Sequence, residues 1–201
     1  MYLIILFLPL ISSLNLLFFG SLLGKSKSGL VACTLLFCGM LGSLAILFET
    51  VVSNLPTFIT LDVWFTLPNS KIEWIFSFDR LSSIMCSVVL VVSFFVHLFS
   101  HYYLRNDPHQ IRFFSYLSIF TFFMLFLVTS GTFLQLILGW EGVGLTSFLL
   151  INFWFTRIEA NKASLKAVLI NRVGDCGLIF SILLIYSFFA VESLFFLDAF
   201  F

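Results

Sequence analysis

Thr132-Phe-Leu-Gln-Leu-Ile-Leu-Gly-Trp-Glu-Gly-Val-Gly-Leu-Thr-Ser-Phe-Leu-Leu-Ile-Asn152 is apolar almost throughout and carries one carboxylate, Glu141, near its middle. A helix of about twenty residues is long enough to cross a hydrocarbon core of roughly 30 Å. An isolated charge at that depth costs several kcal/mol or more, so such residues usually mark an ion or proton path. This run fixes the class of the chain as a membrane protein, and its neighbours repeat the pattern.

The chain has 201 residues, 61% hydrophobic and only 10% charged, with 29 phenylalanines. Globular domains in water carry about 25% charged residues. The composition therefore predicts an all-α polytopic membrane protein. The formal net charge of zero suggests no nucleic-acid partner. Cys33, Cys38, Cys86 and Cys176 all lie inside apolar runs, with no CxxC or Cys/His spacing, and read as small hydrophobes. The first residues lack a basic n-region and their apolar run continues past Phe19, which predicts a retained first helix.

Six runs are long enough to span, at about residues 2–23, 30–48, 78–103, 113–128, 132–152 and 162–189. They are expected to form one transmembrane domain over 1–201. Pro9 suggests a bend in the first. Gly39 and Ser43 have the small-xxx-small spacing that admits a close helix neighbour. Residues 50–77 do not span. There, Ile59, Leu61, Val63, Phe65 and Leu67 alternate with polar residues and Trp64, and Ile72, Trp74 and Phe76 alternate with Lys71 and Glu73. Period two around Pro68-Asn69 predicts a β-hairpin outside the bilayer, with Trp64 and Trp74 at the interface. His97 and His101, one turn apart beside Tyr102 and Tyr103, read as interfacial polar residues rather than ligands.

Six crossings put both termini on one side. Lys25, Lys27, Arg105, Arg112, Arg157 and Lys162 fall in the loops of the other side. Only Lys71 and Arg80 oppose them, against Glu49, Asp62, Glu73, Asp79, Glu192 and Asp198. The positive-inside rule then places the three basic loops in the matrix or cytoplasm and both termini outside.

Glu141 lies about ten residues, or roughly 15 Å, from either end of its helix and cannot easily snorkel. A carboxylate held between desolvation and a nearby cation can load and release a proton; a fixed structural ion pair is the other reading. On the next run, Arg172 and Asp175 are about 60° apart on the helical wheel and can pair at i,i+3. Lys166 is about 120° from Arg172 and 180° from Asp175 on that wheel. It can snorkel; within the membrane it needs a partner from another helix, and Glu141 is a natural candidate. Gly142 and Gly144 lack the remainder of a dinucleotide fingerprint and are expected to permit tight helix contact. No nucleophile constellation, phosphate loop or haem-attachment pattern appears, so no redox site is expected on this chain.

Leu138-Gly-Trp-Glu-Gly-Val-Gly-Leu145, Asn152-Phe-Trp-Phe-Thr-Arg157, Ala160-Asn-Lys-Ala163, Lys166-Ala-Val-Leu-Ile-Asn-Arg-Val-Gly-Asp175 and Phe78-Asp-Arg-Leu-Ser82 closely resemble the antiporter-like chain 5 family of mitochondrial NADH:ubiquinone oxidoreductase. The resemblance runs across nearly the whole chain. It implies a proton-pumping subunit of the inner-membrane arm, with NAD, FMN, iron–sulfur clusters and quinone on partner subunits and no cofactor here. It implies that Glu141 is the essential fifth-helix glutamate and Lys166 the sixth-helix lysine that modulates it, with Arg172 and Asp175 in the family's Arg-Val-Gly-Asp motif. Family members are about three times longer. The expectation is a separate polypeptide carrying the remaining helices, alongside other membrane-arm subunits and lipids, with both termini in the intermembrane space. The alternatives are a non-conducting structural fragment of the arm and a subunit of a free-standing cation/proton antiporter.

Overall fold

In the computed structural model, residues 1–53, 56–67 and 70–189 are described. Six helices follow in order: α1 (Tyr2–Leu23), α2 (Lys25–Ser53), α3 (Arg80–Tyr103), α4 (Gln110–Val128), α5 (Phe133–Ile151) and α6 (Ile158–Phe189). A two-stranded antiparallel sheet, β1 (Thr57–Leu67) and β2 (Ser70–Phe78), stands between α2 and α3. All six helices are long and apolar enough to cross a membrane, as expected of a multi-pass protein.

Three helices begin earlier than hydropathy suggests: α2 at Lys25, α4 at Gln110 and α6 at Ile158. Gly24 alone separates α1 from α2, with φ +77°, a conformation that glycine adopts without steric cost. Charged residues are helical wherever backbone bonding is satisfied, and the apolar window measures only the part inside lipid. Asn161, assigned from its sequence to a loop, is already helical and donates its amide to the carbonyl of Arg157 at 3.2 Å.

The starts of α3 and α5 have side-chain caps. Asp79 accepts from the Ser82 amide at 2.8 Å while Ser82 Oγ accepts from the Asp79 amide at 2.9 Å. This reciprocal box satisfies two orphan donors at the head of α3. Thr132 caps α5 in a simpler way, accepting from the Gln135 amide at 3.4 Å.

The hairpin forms over the expected stretch, with register shifts between Thr60 and Val63 and between Val63 and Phe65. Its expected turn, Pro68-Asn69, lies outside the described residues. The hairpin is tied to the α4–α5 connection. The Ser77 amide donates to Thr129 O at 2.9 Å and the Gly131 amide donates to Ile75 O at 2.8 Å. A Cβ on Gly131 would sit 2.8 Å from that same carbonyl oxygen, so the backbones meet only because residue 131 is glycine. Trp64 stacks near Trp74 at 4.7 Å between ring centroids, and Trp74 reaches Phe126 of α4 at 5.8 Å.

Helices α1 to α4 share a core that includes Leu6, Leu36, Phe76, Leu90 and Leu125. His97 departs from its interfacial reading. It is fully buried between α3, α1 and α4. Its Nδ1 lies 2.8 Å from the Ser93 carbonyl, which can only accept, so Nδ1 carries the hydrogen. Nε2 then accepts from Ser118 Oγ at 3.2 Å, and Ser118 Oγ in turn bonds Ser12 Oγ at 3.3 Å. His101, one turn on, is half-buried beside Gln110. The contact foreseen at Gly39 is ordinary, with Leu90 at 3.6 Å; the tight approaches on α2 are at Gly29, against the ring of His101, and at Gly42, against Ile5.

Burial falls sharply toward the other end. Between 33% and 39% of the apolar window is buried in α1 to α4, against 17% in α5 and 6% in α6. The last two helices form an open flank, and the mid-membrane charges stand on it. Glu192 and Asp198, used above in the charge balance, lie outside the described residues.

Candidate functional site

Helix α5 is held to α4 through its glycines. A Cβ on Gly139 would lie 2.8 Å from Leu127 Cα, and one on Gly142 would collide with the ring of Phe123. These contacts fix the rotation of α5 and turn Glu141 toward α6. Gly144, also expected to allow close contact, faces Asn171 Nδ2 of α6 at an ordinary 3.6 Å.

On the α6 side, Ser164, Val168, Asn171 and Asp175 recur on one face of the helix, with Asn171 exposed among them. Ser164 and Asp175 are buried. Arg172 borders this face and reaches Glu141: Nη1 donates to Oε1 at 3.2 Å, joining two helices in mid-span. The same Nη1 lies 4.0 Å from Asp175 Oδ2, so the i,i+3 pair foreseen on α6 is present as a long ion pair. Asp175 Oδ1 accepts from Trp140 Nε1 at 2.9 Å. No signal short of knowing the α5–α6 rotation identified Trp140 as part of the group.

Lys166 does not join them. It lies on the opposite side of α6 from Asp175, exposed, and no ion pair involves it among the described residues. The cation expected beside Glu141 is thus Arg172 rather than Lys166. The reason is angular. Whichever face of α6 buries Asp175 must turn Lys166 away, because about 180° separates them. Depth alone misleads here, since Lys166 and Glu141 stand at similar distances from the α5–α6 turn.

Glu141, Arg172, Asp175, Asn171 and Ser147 line a groove of about 610 Å³ between the two helices. With all groups ionised, two carboxylates share one guanidinium, a formal charge of −1. The Glu141 side chain is 36% exposed and Arg172 66% exposed, so the group is open on the unpartnered flank. Among the described residues, no cluster of three or more His, Cys, Asp or Glu is placed to hold a metal.

Residues 64–114 match a model described as "NADH-Ubiquinone oxidoreductase (complex I), chain 5 N-terminus", and residues 130–200 one described as "NADH:quinone oxidoreductase/Mrp antiporter, TM". NADH-ubiquinone oxidoreductase chain 5 of Acanthamoeba castellanii is 48% identical over 94% of this chain, and that of Marchantia polymorpha 50% identical over 91%. The chain spans only 28% and 27% of the length of those relatives. A solved chain of the archaeal membrane-bound sulfane sulfur reductase, a respiratory membrane complex, superposes with a TM-score of 0.81. It covers 94% of this chain and 37% of its own, and at 18% identity it speaks for the fold. Nine-tenths of this sequence aligning at nearly half identity, with both motif-bearing regions matched, the chain belongs to the NADH-ubiquinone oxidoreductase chain 5 family.

Proposed function

We propose that the chain is the N-terminal part of a proton-translocating, antiporter-like subunit of respiratory NADH:ubiquinone oxidoreductase. Its place is the mitochondrial inner membrane, with both termini on the intermembrane-space side. The observation that carries this reading is the 3.2 Å link from Arg172 to Glu141 across α5 and α6.

The linked group has two arrangements that differ by one proton. With Glu141 ionised, Arg172 bridges to it. A proton on Glu141 removes that attraction and leaves Asp175 as the guanidinium's partner. Trp140 holds Asp175 Oδ1, which keeps Oδ2 directed at Arg172. Arginine does not release its proton in proteins, so the mobile proton belongs to a carboxylate. Arg172 tunes Glu141 by approach and withdrawal, and a conformational signal from elsewhere in the complex acts by setting that distance. Lys166 contributes at longer range, from the far side of α6.

NADH oxidation, flavin, iron–sulfur clusters and quinone belong on this reading to other subunits. The half-exposed charges of the flank require cover in a bilayer. We assign that cover to a polypeptide carrying the helices that full-length relatives have in addition to this span, docked beside α5 and α6 within the membrane arm.

The test is Glu141→Gln in the assembled complex, with proton uptake measured against NADH oxidised in sealed vesicles. The side chain keeps its shape and loses its charge. We expect fewer protons per NADH, or turnover slowed on the order of 10²-fold if the proton step limits the whole cycle. Unchanged stoichiometry and rate in an assembled variant would assign Glu141 a bracing role only.

A further inference from the structure

We propose that the corner between α4 and the α5–α6 connection is a binding site for the phosphate of an anionic phospholipid headgroup. The corner is built by a tight turn. A 3-10 turn over Asn152–Trp154 follows α5, the Arg157 amide donates to Trp154 O at 2.9 Å, and Asn161 Nδ2 donates to Phe155 O at 3.0 Å. This turn fans three aromatic rings beside two guanidinium groups. Arg112, in the first turn of α4, places Cζ 5.8 Å from the Phe153 centroid and 5.9 Å from that of Phe155. Arg157 places Cζ 5.7 Å from the Trp154 centroid.

Stacking orients these cations and leaves their charge unanswered. No carboxylate pairs with Arg112 or Arg157 among the described residues. Arg112 Nε is a buried donor with no hydrogen-bond partner. Buried polar groups without partners are rare and call for a missing one. The missing partner has to be an anion that accepts from planar guanidinium forks, and a phosphate ester suits that geometry better than it suits lysine.

The position selects the source of the phosphate. The corner lies where α5 ends and α4 begins, at the level of the headgroups on the side of the basic loops. Ile151, Trp154 and Phe155 are exposed around it, an apolar apron that fits acyl chains beside an interfacial indole. Basic pockets at helix ends are a recurrent way of holding acidic lipids. An inorganic phosphate would use the same guanidinium groups and ignore the apron.

The experiment uses the assembled complex and photoreactive phosphatidylglycerol, with photoreactive phosphatidylcholine as the zwitterionic control. Cross-linked peptides are mapped by mass spectrometry. The expected result is labelling of residues 151–157 by phosphatidylglycerol and not by phosphatidylcholine. Labelling falls roughly tenfold in R157Q and in R112Q, the scale of one lost charge-assisted contact. Should R112Q fail to assemble, the exposed Arg157 decides alone. Equal labelling by both lipids, unchanged labelling in R157Q, or complete displacement by millimolar inorganic phosphate would each overturn the proposal.

Discussion

Arg172 answers to two carboxylates, and that makes it the most informative side chain to change. Arg172→Gln removes the cation that touches Glu141, whereas Lys166→Gln removes one facing away. Proton translocation is therefore expected to fall at least tenfold in the first variant and less than twofold in the second, a difference of roughly 1 kcal/mol or more in the barrier. Equal losses would mean that Lys166 reaches Glu141 in another conformation. His97 offers a contrast, as a polar residue whose partners are all internal. His97→Phe keeps a ring and forfeits both bonds, leaving Ser118 to Ser12 alone. The expected cost is about 1–3 kcal/mol, read as a lower denaturation midpoint of the purified assembly. At this scale the sequence was half legible. Glu141 stands out because a mid-span carboxylate is expensive wherever it points. Which cation meets it depends on the relative rotation of two helices, and the burial of His97 depends on α1 and α4 closing over α3. Both are tertiary facts with no local signature.

Helices were legible in number and in type because apolar content is a local property. Their ends were less so. The starts of α2, α4 and α6 lie three to five residues ahead of the apolar windows, since backbone hydrogen bonding continues into water where hydropathy no longer reports it. The hairpin was readable from period two, but its attachment through Gly131 to the α4–α5 connection joins segments more than fifty residues apart. Glycines behave likewise. Gly139 and Gly174 look equivalent in sequence, yet a Cβ meets the Leu127 backbone at the first and nothing within 4 Å at the second. Gly139→Ala should destabilise by about 1–3 kcal/mol, because backbone cannot swing aside. Gly174→Ala should be neutral or slightly stabilising when no partner covers α6, as alanine is the better helix former. Comparative denaturation of the two variants in detergent micelles checks the sign. If both lose stability, α6 packs against something at Gly174 even there.

The molecule as a whole is lopsided. Helices α1 to α4 bury a third or more of their apolar windows, while α6 buries 6% and carries Arg172 and Lys166 on surfaces that no described residue covers. Apolar flanks may face lipid indefinitely, but half-exposed Glu141 and Arg172 at the depth of the α5 midpoint may not. This span is little more than a quarter of its relatives' length, and the cover proposed above comes from the helices they have in addition. A photoreactive amino acid at Val173, 76% exposed beside Arg172, discriminates between the two surroundings. In the native complex it should capture a polypeptide, and the captured peptide should come from an additional membrane helix. Capture of lipid alone would leave an ion pair facing hydrocarbon and would remove the basis for a sealed proton path between α5 and α6. Capture of a helix from this same flank of a second copy would replace the split or extended subunit with a symmetric pair. The proposed relay would then run through an interface that pools two copies of the group, four carboxylates with two guanidinium groups, so the formal charge doubles from −1 to −2 and Arg172→Gln, which removes both cations, becomes the more damaging substitution.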